Sequence, residues 1–378
     1  MRRNFTVIAV LVLMAFMLVL GAGTNEAADK YRSCILMEAE TGTVLCDENG
    51  GEKMNVGYLS KLMSVLLIAE DIETGKYSLD DELTASDSVT GTNGSVVWLE
   101  SGDSMTVDEL LKSVIVGNAN DALTVLAERS EQTIEKFVMR MNSEAFDLDL
   151  KDTAFYSPYG YYDEREHTTA HDIAVICARL AKYEFLKPYF ATWRDFVRSG
   201  KAELVNENKL SRTYEPHIGF KVIHSDISGY CIAEGGDNGK GMRCIAVVLG
   251  AENEDIMYET AKSLLKKGYT GYKVTSTMFP EEMMRPLRIR NGEAPAAELM
   301  IGAQNRLAIP KGTGDLDTVV VIPEYAEAPV RRGQQVGTAA FYNKDSLIYE
   351  TPLIVKSDVK RLSFEFVFSR LLYKMCGK

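Results

Sequence analysis

This sequence contains few histidines and tryptophans, and it has no excess of basic residues. Its 378 residues include four histidines and two tryptophans, and the formal net charge is −12. Binding to nucleic acid requires a basic surface, so the charge argues against a nucleic-acid partner. The histidines do not pair with the six cysteines in any zinc-binding spacing. We therefore predict no metal site and no cofactor.

Long apolar runs are also rare, and the clearest one is close to the N-terminus. Arg2 and Arg3 precede an apolar run from Phe5 to Leu20, followed by small residues and a polar stretch that ends in Ala27 and Ala28. This order is typical of a secretory signal. An uncleaved anchor or a buried helix would have a similar composition, although the run is short for a membrane-spanning helix. We predict that residues 1–28 are a signal peptide and that the protein is exported to the outer face of the cytoplasmic membrane or the cell envelope.

Two pairs of cysteines flank predicted turns. Cys34 and Cys46 lie on either side of "AETG", and Cys231 and Cys244 lie on either side of "GGDNGKG". Disulfides are compatible with an exported chain. Cysteine also serves as a small core hydrophobe, and the sequence leaves both interpretations open.

Hydrophobic periodicity predicts a mixed α/β (α+β) protein. Residues 32–47 have the pattern of a hairpin, and a strongly apolar helix begins at "GYLSKLMS" (57–64). Residues 105–128 favour two helices separated by a turn at 117–120. Strands are predicted at 230–234 and 242–250 on either side of the glycine-rich turn.

The amino-acid pattern of the chain changes near residue 280. Residues 284–356 alternate short β-rich runs with Gly, Pro and Asn, which indicates a small all-β domain. The last residues instead repeat apolar side chains with helical spacing, at Phe364, Phe368, Leu371, Leu372 and Met375. We predict an amphipathic helix on a membrane surface. Packing against the β domain is the alternative.

Several segments in this order resemble the D-alanyl-D-alanine carboxypeptidases, the low-molecular-mass penicillin-binding proteins of the serine β-lactamase/transpeptidase fold. The segments are "GSVVWLESGDSMTVDELL" (94–111), "NANDALTVLAE" (118–128), "SPYGYYDEREHTTAHDIA" (157–174), "NENKL" (206–210), "GFKVIHSDISGYC" (219–231) and "RCIAVVLGA" (243–251). The resemblance implies a transpeptidase-like domain of antiparallel sheet and helices at 29–278, a β-rich domain at 279–360 and a membrane-associating helix at 361–378.

The family's chemistry depends on three motifs around one cleft: S-x-x-K, S-x-N and K-T-G. The serine of S-x-x-K lies one helical turn from the lysine, which takes up its hydroxyl proton. The second serine and the asparagine relay protons and hold the substrate amide. The lysine and threonine of K-T-G bind the substrate's terminal carboxylate, and the glycine allows the strand to approach the peptide.

All three motifs are altered in this sequence. The resemblance assigns the nucleophile position to Tyr58, which precedes Lys61 in "YLSK", and the second motif to Asn118 and Asn120. The third motif becomes Lys221, Val222 and Ile223, followed by His224 at the edge of the cleft. The lysines and Asn120 remain, but the three aliphatic hydroxyl groups are lost. The loss of a serine nucleophile typically costs on the order of 10⁶ in rate.

These substitutions predict an exported cell-wall protein that binds peptidoglycan stem peptides or an envelope protein without cleaving them. One alternative is an active serine-type carboxypeptidase that trims peptidoglycan pentapeptides with an unrecognised nucleophile. The other is a structural or assembly protein with a filled cleft. Within the cleft, we expect the Tyr58 ring to fill the former active site. Asn118, Asn120 and Lys221 should surround the ring, with Asn120 as the polar partner of Lys61.

Overall fold

The computed structural model describes residues 30–276, 284–302, 306–314, 316–344 and 346–376. The predicted signal peptide lies outside these residues. The chain forms two compact units. The first contains the described residues up to Leu36 together with Cys46–Gly236 and Ile245–Leu265. The second contains Met37–Leu45, Asp237–Cys244 and the described residues from Lys266 onward.

The helices follow the apolar periodicity of the sequence. In chain order they are α1 (Lys61–Glu73), α2 (Val107–Ile115), α3 (Asn120–Glu131), α4 (Ile134–Asp147), α5 (Ala170–Leu180), α6 (Lys187–Ala191), α7 (Leu210–Thr213), α8 (Glu254–Gly271) and α9 (Phe364–Met375). Short 3₁₀ turns are present at Gly57–Ser60, Asp87–Val89 and Glu184–Leu186.

The strands up to residue 276 are β1 (Ser33–Glu38), β2 (Val44–Glu48), β3 (Glu82–Thr84), β4 (Ser104–Thr106), β5 (Arg194–Val197), β6 (Ala202–Val205), β7 (His217–Ser225), β8 (Gly229–Asp237), β9 (Arg243–Ala251) and β10 (Tyr272–Ser276). Five of them form a sheet in the order β2-β1-β9-β8-β7. The residues of β1 are buried throughout, as its continuous apolar run predicts. Strand β7, which carries Lys221, is the last strand in this order and pairs antiparallel with β8.

Side-chain caps fix the ends of several helices. Thr106 accepts a hydrogen bond from the backbone N–H of Glu109 at the start of α2. Thr169 accepts one from the backbone N–H of Asp172 at the start of α5. The predicted break between α2 and α3 is present, and Asn118 within it has a φ of +58°. That left-handed conformation suits asparagine better than most residues.

The remaining strands are β11 (Leu287–Arg290), β12 (Ala296–Ala297), β13 (Leu299–Ile301), β14 (Arg306–Pro310), β15 (Asp317–Val321), β16 (Tyr325–Glu327), β17 (Gln335–Asn343) and β18 (Ser346–Val355). Their sheets have the orders β12-β11-β16 and β13-β18-β17-β15, and β14 pairs with β10. The predicted β-rich segment is therefore built of short strands, as its alternating pattern indicates. Val330 and Val359 form a bridge and belong to its buried core.

The terminal helix α9 forms where the sequence predicts it, with Ser363 as its N-cap. None of its residues is buried, and Phe364 is 83% exposed. Among the residues that the structure describes, no helix is both long and apolar enough to cross a bilayer.

All six cysteines are free thiols. Cys34, Cys231 and Cys244 are buried, which agrees with the core-hydrophobe interpretation rather than with disulfides. The Cys231 thiol donates to the carbonyl of Ser228 and accepts from the N–H of Gly250.

Candidate active site

Tyr58 lies in the 3₁₀ turn just before α1. The Asn55 side chain accepts a hydrogen bond from the N–H of Gly57 and so holds the start of this turn. Gly160 packs directly against the turn, because a Cβ atom there would lie 2.1 Å from the Gly57 carbonyl oxygen. The close backbone approach fixes the position from which the Tyr58 ring projects.

The ring of Tyr58 covers Lys61. The Lys61 Nζ is 5.0 Å from the ring centroid, which is within the range of a cation–π contact. Lys61 is fully buried, and its Nζ donates to the backbone carbonyl of Asn118 at 2.6 Å and to its Oδ1 at 2.8 Å. The expectation that Asn120 is the polar partner of Lys61 was wrong. The left-handed backbone of Asn118 presents both of its oxygens to the amine instead.

Lys221 reaches the same amide from the other side. Its Nζ donates to Asn118 Oδ1 at 3.0 Å, so one oxygen accepts from two buried lysines. Burial lowers the pKa of Lys221 to about 8. Burial also holds the pKa of Lys61 well below its usual value, with repulsion from Lys221 as the second cause. The pair therefore favours the loss of a proton more than exposed lysines do.

Asn120 faces a different set of partners. Its Nδ2 donates to the Asn93 carbonyl at 2.6 Å and to the Tyr161 hydroxyl at 3.2 Å. The side chain is fully buried, and its Oδ1 has no partner among the described residues. Asn120 thus fixes the loop at Asn93 and the ring of Tyr161.

The strand side of the site is apolar. Val222 and Ile223 are buried on β7, and Ile223 Cδ1 lies 3.4 Å from the position that a Cβ of Gly57 would take. His224 is exposed and stacks on Tyr230, with 3.9 Å between ring centroids. The β-branched Ile223 therefore occupies space next to the turn that carries Tyr58.

Two nearby serine hydroxyl groups are held away from the lysines. Ser60 is buried and donates to Glu166 Oε1 at 2.7 Å. Ser64 donates to the carbonyl of Pro158 at 2.9 Å. Burial raises the pKa of Glu166, although the bond from Ser60 opposes that shift. Both hydroxyls thus donate to acceptors other than the lysines.

A cleft of about 210 Å³ remains open beside Tyr58. Its walls include Tyr58, Tyr161, Tyr162, Ile223, His224 and Ile227. The structure therefore brings together Tyr58, Lys61, Asn118 and Lys221, and it places Ile223 and His224 on the cleft wall. Asn120 lies behind Tyr161, and Val222 belongs to the buried strand.

Sequence reasoning did not assign several residues of this region. Tyr161 and Tyr162 fall in "SPYGYYD", whose three closely spaced tyrosines were a signal that could have been used. Glu166 gave no such signal, because its partner Ser60 is 106 positions away. A second unforeseen cluster lies at the start of β7. There His217 Nδ1 and Glu234 Oε1 are 2.6 Å apart, and Asn208 donates to Glu234.

Family profiles match most of the chain. Residues 22–253 match the D-alanyl-D-alanine carboxypeptidase family, peptidase family S11. Residues 289–361 match the C-terminal domain of penicillin-binding protein 5.

Characterised relatives match over nearly their full length. The chain is 30% identical to the D-alanyl-D-alanine carboxypeptidase DacF of Bacillus subtilis, over 91% of this chain and 90% of that protein. It is 28% identical to the carboxypeptidase DacC of Escherichia coli, over 88% of this chain and 85% of that protein.

Solved structures share the fold. Penicillin-binding protein 5 of Haemophilus influenzae superposes with a TM-score of 0.77, at 24% identity, over 88% of this chain and 98% of that one. Penicillin-binding protein 6B of E. coli gives a TM-score of 0.70, at 23% identity, over 86% of this chain and 95% of that one.

Proposed function

Because the chain belongs to the D-alanyl-D-alanine carboxypeptidase family, we propose that it is a member that binds peptidoglycan at the cell envelope without cleaving it. The ligand is the stem peptide of peptidoglycan or an envelope protein presented to the same cleft. Tyr58, Lys61, Asn118, Asn120, Lys221, Val222, Ile223 and His224 are the positions that correspond to the family's site.

The observation that carries the proposal is the Tyr58 ring over Lys61. In an acyl-transfer site, a hydroxyl oxygen must lie within hydrogen-bond reach of its general base. Here the amine of Lys61 donates to the two oxygens of Asn118, and a ring covers it. A tyrosine oxygen lies several bonds beyond the place of a serine oxygen, and Ser60 and Ser64 are bonded elsewhere.

Labelling with fluorescent penicillin tests this proposal. We expect no covalent adduct with penicillin and no release of D-alanine from a pentapeptide, with penicillin-binding protein 5 of H. influenzae as the positive control. The Tyr58→Ser variant should gain little activity, because positions 118 and 222 still lack hydroxyl groups. The variant Tyr58→Ser/Asn118→Ser/Val222→Thr/Ile223→Gly restores all three motifs and should label more strongly than Tyr58→Ser.

The same measurement decides between this proposal and an active carboxypeptidase, which the names of the relatives favour. A stoichiometric mass increase with penicillin, mapped to any one residue of the unaltered chain, would establish the active alternative. A structural protein with a filled cleft would neither label nor bind muropeptides.

We also infer that the protein is exported and rests on the membrane through α9. The exposed apolar residues of this helix support surface binding, with Phe364 and Phe368 stacked at 5.7 Å between ring centroids.

A further inference from the structure

The open part of the cleft contains no acidic side chain, lysine or arginine. Besides the six wall residues already named, it is lined by Asn55, Gly57, Gly160 and Ser225. The only lining residue with an ionisable side chain other than tyrosine is His224. All lining residues lie within the described part of the first compact unit.

The two lysines of the site do not compensate for this lack of charge. Lys61 lies beneath the Tyr58 ring, and Lys221 is 9% exposed. Both amines donate to Asn118 Oδ1. A carboxylate in the open cleft would lose hydration without gaining a cationic partner, which is unfavourable. The cleft therefore selects an uncharged ligand group.

The cleft wall combines aromatic rings with hydrogen-bonding edges. Tyr58, Tyr161 and Tyr162 supply rings, and the phenol hydroxyls of Tyr58 and Tyr162 supply hydrogen-bonding groups. The side chains of Asn55 and Ser225 and the hydroxyl of Tyr161 already make hydrogen bonds within the protein. Ile223 and Ile227 add apolar surface. A pyranose ring has complementary chemistry, with apolar C–H faces and a rim of hydroxyl groups, and an N-acetyl substituent adds an amide and a methyl group.

We propose that this cleft binds an N-acetylated hexosamine of the peptidoglycan glycan strand, seated between the tyrosine rings and the Ile223–Ile227 wall. This inference rests on the part of the proposed function that has peptidoglycan bound without cleavage, and it assigns the open part of the cleft to the glycan strand instead of the stem peptide. A volume of about 210 Å³ suits one ring-sized group rather than an extended peptide.

Titration of the full chain with N,N′-diacetylchitobiose, followed by NMR of the N-acetyl methyl signals, tests the proposal. We expect saturable binding that changes little between low and high salt, because no ion pair forms. Tyr162→Ala should weaken binding by about two- to tenfold, because one aromatic contact with the sugar ring is lost. Tyr162 is 59% exposed, so its removal leaves the core intact.

Phe196→Ala provides the matched control. Phe196 is an aromatic residue of similar exposure, 50%, on β5, and it is not part of the cleft lining. Its removal should leave the affinity for the disaccharide unchanged. Equal losses in both variants, or no saturable binding of the disaccharide, would overturn the sugar site.

A stem pentapeptide, prepared as the free acid and as the C-terminal amide, separates this inference from the proposed function. If the disaccharide fails and only the free acid binds, the cleft recognises a carboxylate. In that case the sugar site is wrong, while binding of peptidoglycan without cleavage stands. If neither the disaccharide nor either pentapeptide binds, both the sugar site and peptidoglycan binding are overturned.

Discussion

At the scale of single residues, Asn118 organises the site. Its Oδ1 accepts from Lys61 and from Lys221, and its backbone carbonyl accepts a further bond from Lys61. Buried amines need such acceptors, because an unpaired buried donor loses its hydration without compensation. The position of this one side chain therefore determines whether both lysines are tolerated.

Asn118→Ala should destabilise the protein by about 3 kcal/mol, because two buried amines lose their shared acceptor. Urea unfolding followed by circular dichroism measures this loss. Asn49→Ala is the control, since Asn49 has a similar φ of +55° but is exposed. Asn49→Ala places alanine in the same left-handed backbone conformation but removes no partner of a buried lysine. Its loss in the free energy of unfolding should be below about 1 kcal/mol. Similar losses in the two variants would mean that backbone strain explains the effect.

The motif positions could be predicted from the sequence, but their hydrogen bonds could not. The resemblance to the family's three motifs assigned Tyr58, Lys61, Asn118 and Lys221 to the site. Asn118 rather than Asn120 is the partner of Lys61 for two reasons. Asn118 has a positive φ, and the side chain of Asn120 donates to the Asn93 carbonyl instead. Neither the left-handed backbone nor a contact 27 positions away follows from a local pattern.

At the scale of elements, the terminal helix α9 presents apolar side chains that no other described element buries. Phe368 and Leu371 are 50% and 54% exposed. Helical spacing predicted the helix and its stripe. The β-rich composition ends at residue 356, but the β core continues beyond it. Val359 bridges Val330 and belongs to the buried core, and Arg361 bridges Gly292 just before α9.

Removal of α9 should abolish binding to lipid vesicles and leave the fold intact. A chain ending at Leu362, without residues 1–28, keeps both bridges and should remain in the supernatant when vesicles are sedimented. The chain with α9 should sediment with vesicles, and Phe368→Glu/Leu371→Glu should release it, because charge opposes insertion of the apolar stripe. Equal partitioning of all three chains would identify the stripe as a packing face.

At the scale of the whole molecule, the buried lysines couple stability to pH. Lys221 has a pKa of about 8 in the folded protein, against an ordinary value of 10.5. Between these values the unfolded chain binds more protons, so the contribution of Lys221 to stability rises as the pH rises. Below about pH 8 its buried charge costs about 3 kcal/mol.

Lys221→Met should therefore be more stable than the unaltered protein near pH 7. Its advantage should shrink by about 3 kcal/mol between pH 8 and 10.5, as measured by urea unfolding at each pH. Buried tyrosines and cysteines also titrate at alkaline pH, so the informative quantity is the difference between the two proteins. Lys151→Met, at an exposed lysine, controls for loss of a surface charge. A constant advantage across this range would contradict the lowered pKa of Lys221.

The order of helices and strands was accessible from the sequence, because apolar periodicity and turn residues act locally. The hairpin predicted at 32–47 and the strand predicted at 242–250 are present as β1, β2 and β9. The sheet order β2-β1-β9-β8-β7 brings together strands that are some 200 positions apart, and the sequence analysis did not predict it. Pairs such as His217–Glu234 depend on strand register, which local patterns leave undefined.

The shared oxygen of Asn118 makes positions 61, 118 and 221 epistatic. If Lys221 is replaced first, Lys61 keeps both of its acceptors on Asn118. If the asparagine is replaced first, two buried amines lose their shared acceptor. The cost of losing Asn118 therefore depends on whether both lysines are still present, so the order in which a lineage replaces these residues is constrained. The amino acid inherited at any one of these positions then depends on the other two.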